Sequence, residues 1–179
     1  MPAVGLAGAA AGSRAPEAPG ADQGRRPPAA IAVAALLAAA VVGLPLAASN
    51  WLVDRAYSTA PERPQQALSD ARLAGDLDPF GPRPALAEGQ VALEIGDLDS
   101  AEQAFSEAAA RDSAAWYPRF ELGLLEAGDG NQAVALGWLG QAAERNPRER
   151  LIDRAVRSVR TGRPLDPSVM ARRVLAEAG

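Results

Sequence analysis

Small and apolar positions recur through the middle of the chain at a fixed interval of 34 residues. Gly89, Ala101, Phe105, Ala108 and Ser113 are each followed, 34 positions on, by Gly123, Ala135, Leu139, Ala142 and Pro147, with no insertion or deletion between the two sets. A fixed period of that length predicts a solenoid in which each unit is a helix, a turn and a second helix, because one such unit cannot bury its apolar face alone. One further step of 34 toward the N-terminus reaches Ala67, Ala71, Ala74 and Pro79, the second half of a preceding unit. In its first half Trp51 supplies an aromatic, but Arg55 stands where the glycine belongs, and the segment runs straight out of an apolar stretch. It reads as one helix shared between an anchor and the repeats.

The residue types explain the spacing. Gly89 and Gly123 lack a Cβ, so the two helices of a unit can approach closely there, and Ala101, Ala108, Ala135 and Ala142 do the same on the second helix. Phe105 and Leu139 lie four residues after one alanine and three before the next, on one helical face, and are the predicted knobs of the core. Gly96-Asp97 and Gly128-Asp129-Gly130 are the predicted turns inside the units. Asp78-Pro79 and Asn146-Pro147 stop the second helices, since proline disfavours helix in the residue before it.

A glycine, an alanine, an aromatic or leucine, a second alanine and a proline at this interval resemble the tetratricopeptide repeat, a helix-turn-helix unit of the same period. The resemblance covers roughly Trp51 to Arg160, and it implies an all-α helical-hairpin solenoid. Two departures stand out: Ser113 replaces a terminal proline, and Trp116 and Tyr117 sit earlier on their helix than the family's usual aromatic. The expected organisation is a disordered tail over 1–28, a transmembrane helix over 29–48, a linker helix and half repeat over 49–79, repeats over 80–113 and 114–147, and capping helices over 148–179. An apolar span feeding repeats, with the segment Trp116 to Leu124, is also similar to the tails of O-antigen ligase-like membrane proteins, although the multi-span ligase body is absent.

The span over 29–48 is uncharged and, as a helix, about 30 Å long, the thickness of a bilayer's hydrocarbon core. Half of it is alanine; Ile31, Val33, Leu36, Leu37, Val41, Val42, Leu44 and Leu46 carry the hydrophobicity. A cleaved signal peptide is the rival reading, because Ala47-Ala48-Ser49 offers small residues after the apolar region, but the long approach and long span favour a retained anchor. Arg25 and Arg26 precede the span, while Trp51 and Tyr57 follow it as interfacial aromatics, so the tail is expected in the cytoplasm and the repeats on the exoplasmic side of the cell membrane.

Composition narrows the chemistry. The chain contains no Cys and no His, and its 18 basic residues are all Arg, which excludes thiolate and imidazole metal sites, Ser-His or Cys-His catalysis, Schiff-base lysines and a phosphate-loop lysine. Heavy use of Ala, Arg, Gly and Pro suggests a GC-rich bacterial genome. The pairs Asp76/Asp78 and Asp97/Asp99 lack the further ligands of a calcium loop and read as turn and cap residues. Glu121 with Glu126, or Glu88 with Glu94, could be imagined as an acid and a base, but glutamates on repeat helices are ordinarily solvated or paired with arginine. No enzyme activity, cofactor or metal is expected.

Charge is unevenly divided. From Asp54 to Glu144 there are 16 acidic residues against six Arg, a net of −10, whereas Arg145 to Gly179 holds nine Arg and four acids, a net of +5. Arg150, Arg154, Arg157 and Arg160 recur at helical spacing opposite Leu151, Ile152, Ala155, Val156 and Val159, as a solvent-facing cap on the solenoid or a docking face would. Nucleic acid does not suit the acidic body. Asp166-Pro167-Ser168 reads as the start of a final helix through Leu175.

In the resembled family the first helix of each unit lines a groove. Carried over, this sets Arg83, Leu86 and Gln90 beside Tyr117, Phe120 and Leu124 as candidate partner contacts, with inter-repeat core as the alternative for Phe120 and Leu124. The Asn and Lys residues that clamp a terminal carboxylate in some members are absent, so an extended or helical segment with apolar anchors fits better. The expected function is a membrane-anchored scaffold for protein–protein interaction; the alternative is an accessory subunit of an envelope polysaccharide or glycolipid assembly enzyme of the O-antigen ligase type. A small solenoid with an uncovered end would be relieved by homo-oligomerisation or by docking on an integral-membrane partner.

Overall fold

The structure is a computed structural model that describes the backbone of residues 29–162, with side chains described at Val33 and from Gly43 onward. The expected tail over 1–28 and the expected final helix from Asp166 lie outside the described residues. Among the described residues, seven helices follow one another: α1 (Ala29–Thr59), α2 (Pro64–Leu77), α3 (Pro82–Ile95), α4 (Leu98–Arg111), α5 (Tyr117–Gly128), α6 (Gln132–Arg145) and α7 (Arg150–Arg160). Proline sets the start of α2, α3 and α5, where its missing N–H costs nothing. Gly96, at φ 79°, and Gly130, at φ 82°, make the left-handed turns inside the second and third hairpins.

The helices pack as three successive hairpins, α1 with α2, α3 with α4 and α5 with α6, and α7 closes the far end against α6. The core is built from the repeated positions. Phe105 and Leu139 are fully buried, as are Ala101, Ala108, Ala135 and Ala142. A Cβ on Gly89 would stand 2.8 Å from Cε1 of Phe105, and one on Gly123 would stand 2.7 Å from Cγ of Leu139. Each glycine is therefore the socket for the knob of its own hairpin.

The first hairpin inverts this arrangement. Arg55 occupies the socket position and Ala71 the knob position, so the bulk has moved to the first helix and the space to the second. Arg55 extends to Asp70 on α2 as an ion pair at 3.2 Å and covers the Trp51 ring at 5.3 Å. Ser49, itself buried, donates to the carbonyl of Ala74 at 2.9 Å. The segment expected as a linker with a half repeat is thus a complete hairpin, with Leu52, Val53, Ala56 and Ala60 buried against α2 and α3.

Helix α1 is continuous through Pro45 from the expected membrane span into this hairpin. Among the described residues, no helix is long and apolar enough to cross a membrane.

The joints between hairpins use polar groups that also repeat every 34 residues. Asp78, Asp112 and Asn146 each cap a second helix, their N–H groups returning to Ala74, Ala108 and Ala142. At Asp112, which Ser113 rather than proline follows, Oδ1 accepts from the N–H groups of Ala114 and Ala115 at 2.9 and 3.2 Å, and these bonds fix the turn that proline would otherwise restrict. Arg111 and Arg145 donate back across the joint, to the carbonyls of Gly81 at 3.2 Å and Ser113 at 2.7 Å.

Substituting alanine for Gly89 should destabilise the fold by about 1–3 kcal/mol through overpacking on Phe105. The same change at Gly137, inside α6 with nothing within 4 Å of the new Cβ, should be neutral or stabilise by up to about 1 kcal/mol. Chemical denaturation of the two variants checks the contrast.

Candidate functional site

The first helices α1, α3 and α5 share one face, and polar side chains stitch them together along it. Arg83 on α3 reaches α1, donating to Oδ1 of Asn50 at 2.6 Å and to Oδ1 of Asp54 at 3.1 Å. Gln90, two turns further along α3, donates through Nε2 to the Tyr117 hydroxyl at 3.2 Å. The Tyr117 ring meets Phe105 edge-on at 6.2 Å and Trp116 at 5.8 Å, which links the core of the first two hairpins to that of the third. Between α1 and α3 a cavity of about 460 Å³ is lined by Tyr57, Ala60, Gln90, Val91 and Glu94.

Of the six expected contacts, Arg83 is exposed and Leu86, Gln90 and Tyr117 are partly buried along this face. Phe120 and Leu124 are not available to a partner. Both are 0% exposed and pack with Leu139, Leu151 and Ile152, so they belong to the inter-repeat core. The early aromatic Trp116 covers this core from the N-cap of α5, 6.0 Å from the Phe120 ring. The groove wall that the sequence did not disclose comes from the end of α1 and the turn after it, through Tyr57 and Ala60.

Two buried ionisable side chains were equally unexpected. Arg119 stands at the joint of α4 and α5 and donates to the carbonyls of Ala109 at 2.9 Å, Asp112 at 3.2 Å and Ala115 at 2.6 Å. It closes the C-terminal end of α4, where free carbonyls and the helix dipole favour a cation. Burial and the Arg145 guanidinium lower its pKa, and Asp112 opposes them.

Glu121 is neither solvated nor paired with arginine, contrary to expectation. It is 0% exposed, and no group among the described residues has hydrogen-bonding geometry to either carboxylate oxygen. Burial pushes its pKa up from 4.5 to about 8, with the neighbouring Tyr117 hydroxyl opposing the shift. Glu88, by contrast, pairs with Arg72 at 2.8 Å, while Glu94 is exposed at the cavity.

The acidic pairs do structural work: Oδ1 of Asp97 accepts from the Ser100 N–H at 3.2 Å, and Oδ1 of Asp78 from the Gly81 N–H at 2.9 Å. On α7, Leu151, Ile152, Ala155 and Val159 are buried while Arg150, Arg154, Arg157 and Arg160 face solvent.

Solved structures share the course of these helices. The chain is similar to the Arabidopsis OM64 TPR domain at a TM-score of 0.63 and 15% identity, over 66% of this chain and 98% of that one. The fold is a tetratricopeptide-like solenoid. The Yersinia enterocolitica type III secretion chaperone SycD, solved with a peptide of the translocator YopD, is similar at a TM-score of 0.59 and 17% identity, over 63% of this chain and 92% of that one. MamA is similar at a TM-score of 0.60 and 16% identity, over 73% of this chain and 80% of that one. No family model and no curated protein sequence matches the chain. At these identities the tetratricopeptide-like likeness concerns shape, and the side chains of the groove are this chain's own.

Because the folded pKa of Glu121 lies above its ordinary value, folding favours the protonated acid. Its contribution is flat below about pH 4.5, falls as pH rises toward 8, and is flat again above that. Glu121→Gln should remove this part of the pH dependence and raise the Tm relative to the parent increasingly from pH 5 to about 8, as thermal unfolding across that range would report. Equal pH profiles for the two proteins would contradict the assignment.

Proposed function

We propose that this chain is a membrane-anchored tetratricopeptide-like scaffold that holds a segment of a protein partner against the face of its first helices and performs no chemistry of its own. The observation that carries the reading is the division of labour between side chains. The repeat knobs and Phe120 and Leu124 are consumed by the core, whereas Arg83 is exposed and Leu86, Gln90 and Tyr117, partly packed on the core, keep surface at a face that also holds a cavity of ligand size. That SycD was solved with a translocator peptide supports the capacity of this shape to take a polypeptide.

The anchor is inferred from the uncharged stretch over 29–48, which passes without a break in α1 into the first hairpin. The exposure of Leu44 and Leu46 and of Trp51 at the junction suits lipid and interface respectively. Arg25 and Arg26 before the span favour an exoplasmic location for the repeats. Anchoring would confine the scaffold to a layer beside the membrane and raise the effective concentration of a co-anchored partner, including an integral-membrane protein.

A full-length chain carrying a photo-crosslinking residue at Leu86 or, as a control on the back of α2, at exposed Leu73 tests both parts. The expected result is an intact protein that resists carbonate extraction and crosslinks a partner from position 86 only. A shortened soluble product beginning near Asn50 would overturn the anchor, and crosslinking from position 73 alone would overturn the groove.

A further inference from the structure

The cavity between α1 and α3 combines oxygen acceptors with an aromatic face and apolar wall. Gln90 gives one of its two Nε2 hydrogens to the Tyr117 hydroxyl and keeps its Oε1 acceptor uncommitted. Glu94 is exposed and contributes two oxygens that only accept. Tyr57 remains protonated, its pKa pushed up to about 12 chiefly by burial, and offers a ring face and one hydroxyl. Val91 and Ala60 complete the lining with apolar wall. The cation on the same face, Arg83, is already held by Asn50 and Asp54 and balanced by the Asp54 carboxylate.

A group that suits this lining donates hydrogen bonds to the Gln90 oxygen and the Glu94 carboxylate, carries positive charge and brings an apolar stem. An arginine side chain does all three: its guanidinium forks toward two acceptors and stacks on an aromatic face, and its methylenes cover apolar wall. The surroundings favour a cation too. The body from Asp54 to Glu144 carries a formal net charge of −10, and the exposed Glu94 carboxylate stands at the cavity itself. A lysine would present a compact ammonium in place of the fork, and a carboxylate-ended ligand would meet Glu94 with like charge.

We propose that the partner segment carries an arginine whose side chain enters this cavity, its guanidinium on Gln90 and Glu94 and its stem along Val91 and Ala60. The assignment rests on the protein-binding reading above.

The test selects a displayed random dodecapeptide library on the full-length chain in non-ionic detergent. The best peptide is then synthesised with Arg, Lys or the neutral isostere citrulline at its enriched basic position, and binding is measured to the parent and to Glu94→Gln, an exposed position where the fold tolerates the change. The expected outcome is enrichment of Arg at one position, loss of about tenfold in affinity on replacement by citrulline, and little discrimination between the two peptides by Glu94→Gln. Peptides that bind without a basic residue, or whose citrulline form binds the parent equally well, would overturn the arginine assignment while leaving the groove standing. Lysine binding as well as arginine would contradict the guanidinium fork, and failure of every peptide to bind would overturn the groove as well.

Discussion

The spacing of the two helices in each hairpin depends on one steric condition, that only one of two facing positions carries bulk. At Gly89 and Gly123 the first helix gives up its side chain, and Phe105 and Leu139 fill the space from the second. At the first hairpin the exchange runs the other way, with Arg55 facing a helix whose corresponding position is Ala71. Either solution keeps the helices close, but the second places a long cation at the edge of the core, where Asp70 and Trp51 receive it. This is how a helix that begins as an apolar span can end as the first wall of a solenoid.

Once the hairpins are formed, charge serves mainly to join them. Arg111 and Arg145 bind carbonyls of the preceding joint, Arg119 closes the end of α4, and Asp78, Asp112 and Asn146 turn the chain between hairpins. Such contacts to fixed backbone carbonyls hold direction better than exposed ion pairs between flexible side chains do. With several arginines spent on joints and four more on the outer face of α7, Arg83 on the face of the first helices is balanced by Asp54, and the cavity beside it is lined by Gln90 and Glu94 without a cation. The electrostatic character of the groove follows from where the architecture needs its cations.

The repeat positions, the turns at Gly96 and Gly130, and the stop at Asn146 were legible in the sequence because each depends on local geometry or on residue size at a fixed period. Arg111 and Arg145 were legible by the same rule, since they too are 34 residues apart, as were Asp78, Asp112 and Asn146 taken together. Glu121 gave a subtler signal: stepping by the period aligns it with Ala87 and Val53, both fully buried, so an acid at that position is an acid in the core. Phe120 and Leu124 were open to two readings because groove and inter-repeat core share a helix, and only packing against α6 and α7 decides between them. The cavity had no signature, because its walls come from the end of α1 and the middle of α3, which tertiary packing alone brings together.

The central claim is that the C-terminal part of α1 is the first wall of the solenoid and of its groove, with Leu52, Val53 and Ala56 buried in one core with α2 and α3. Amide hydrogen exchange of the full-length chain under increasing denaturant measures this most directly. The account predicts that residues 49–59 are protected as strongly as α2 and lose protection together with it, as one cooperative unit. Exchange over 49–59 at rates near those of an unprotected peptide, while α2, α3 and α4 stay protected, would contradict it.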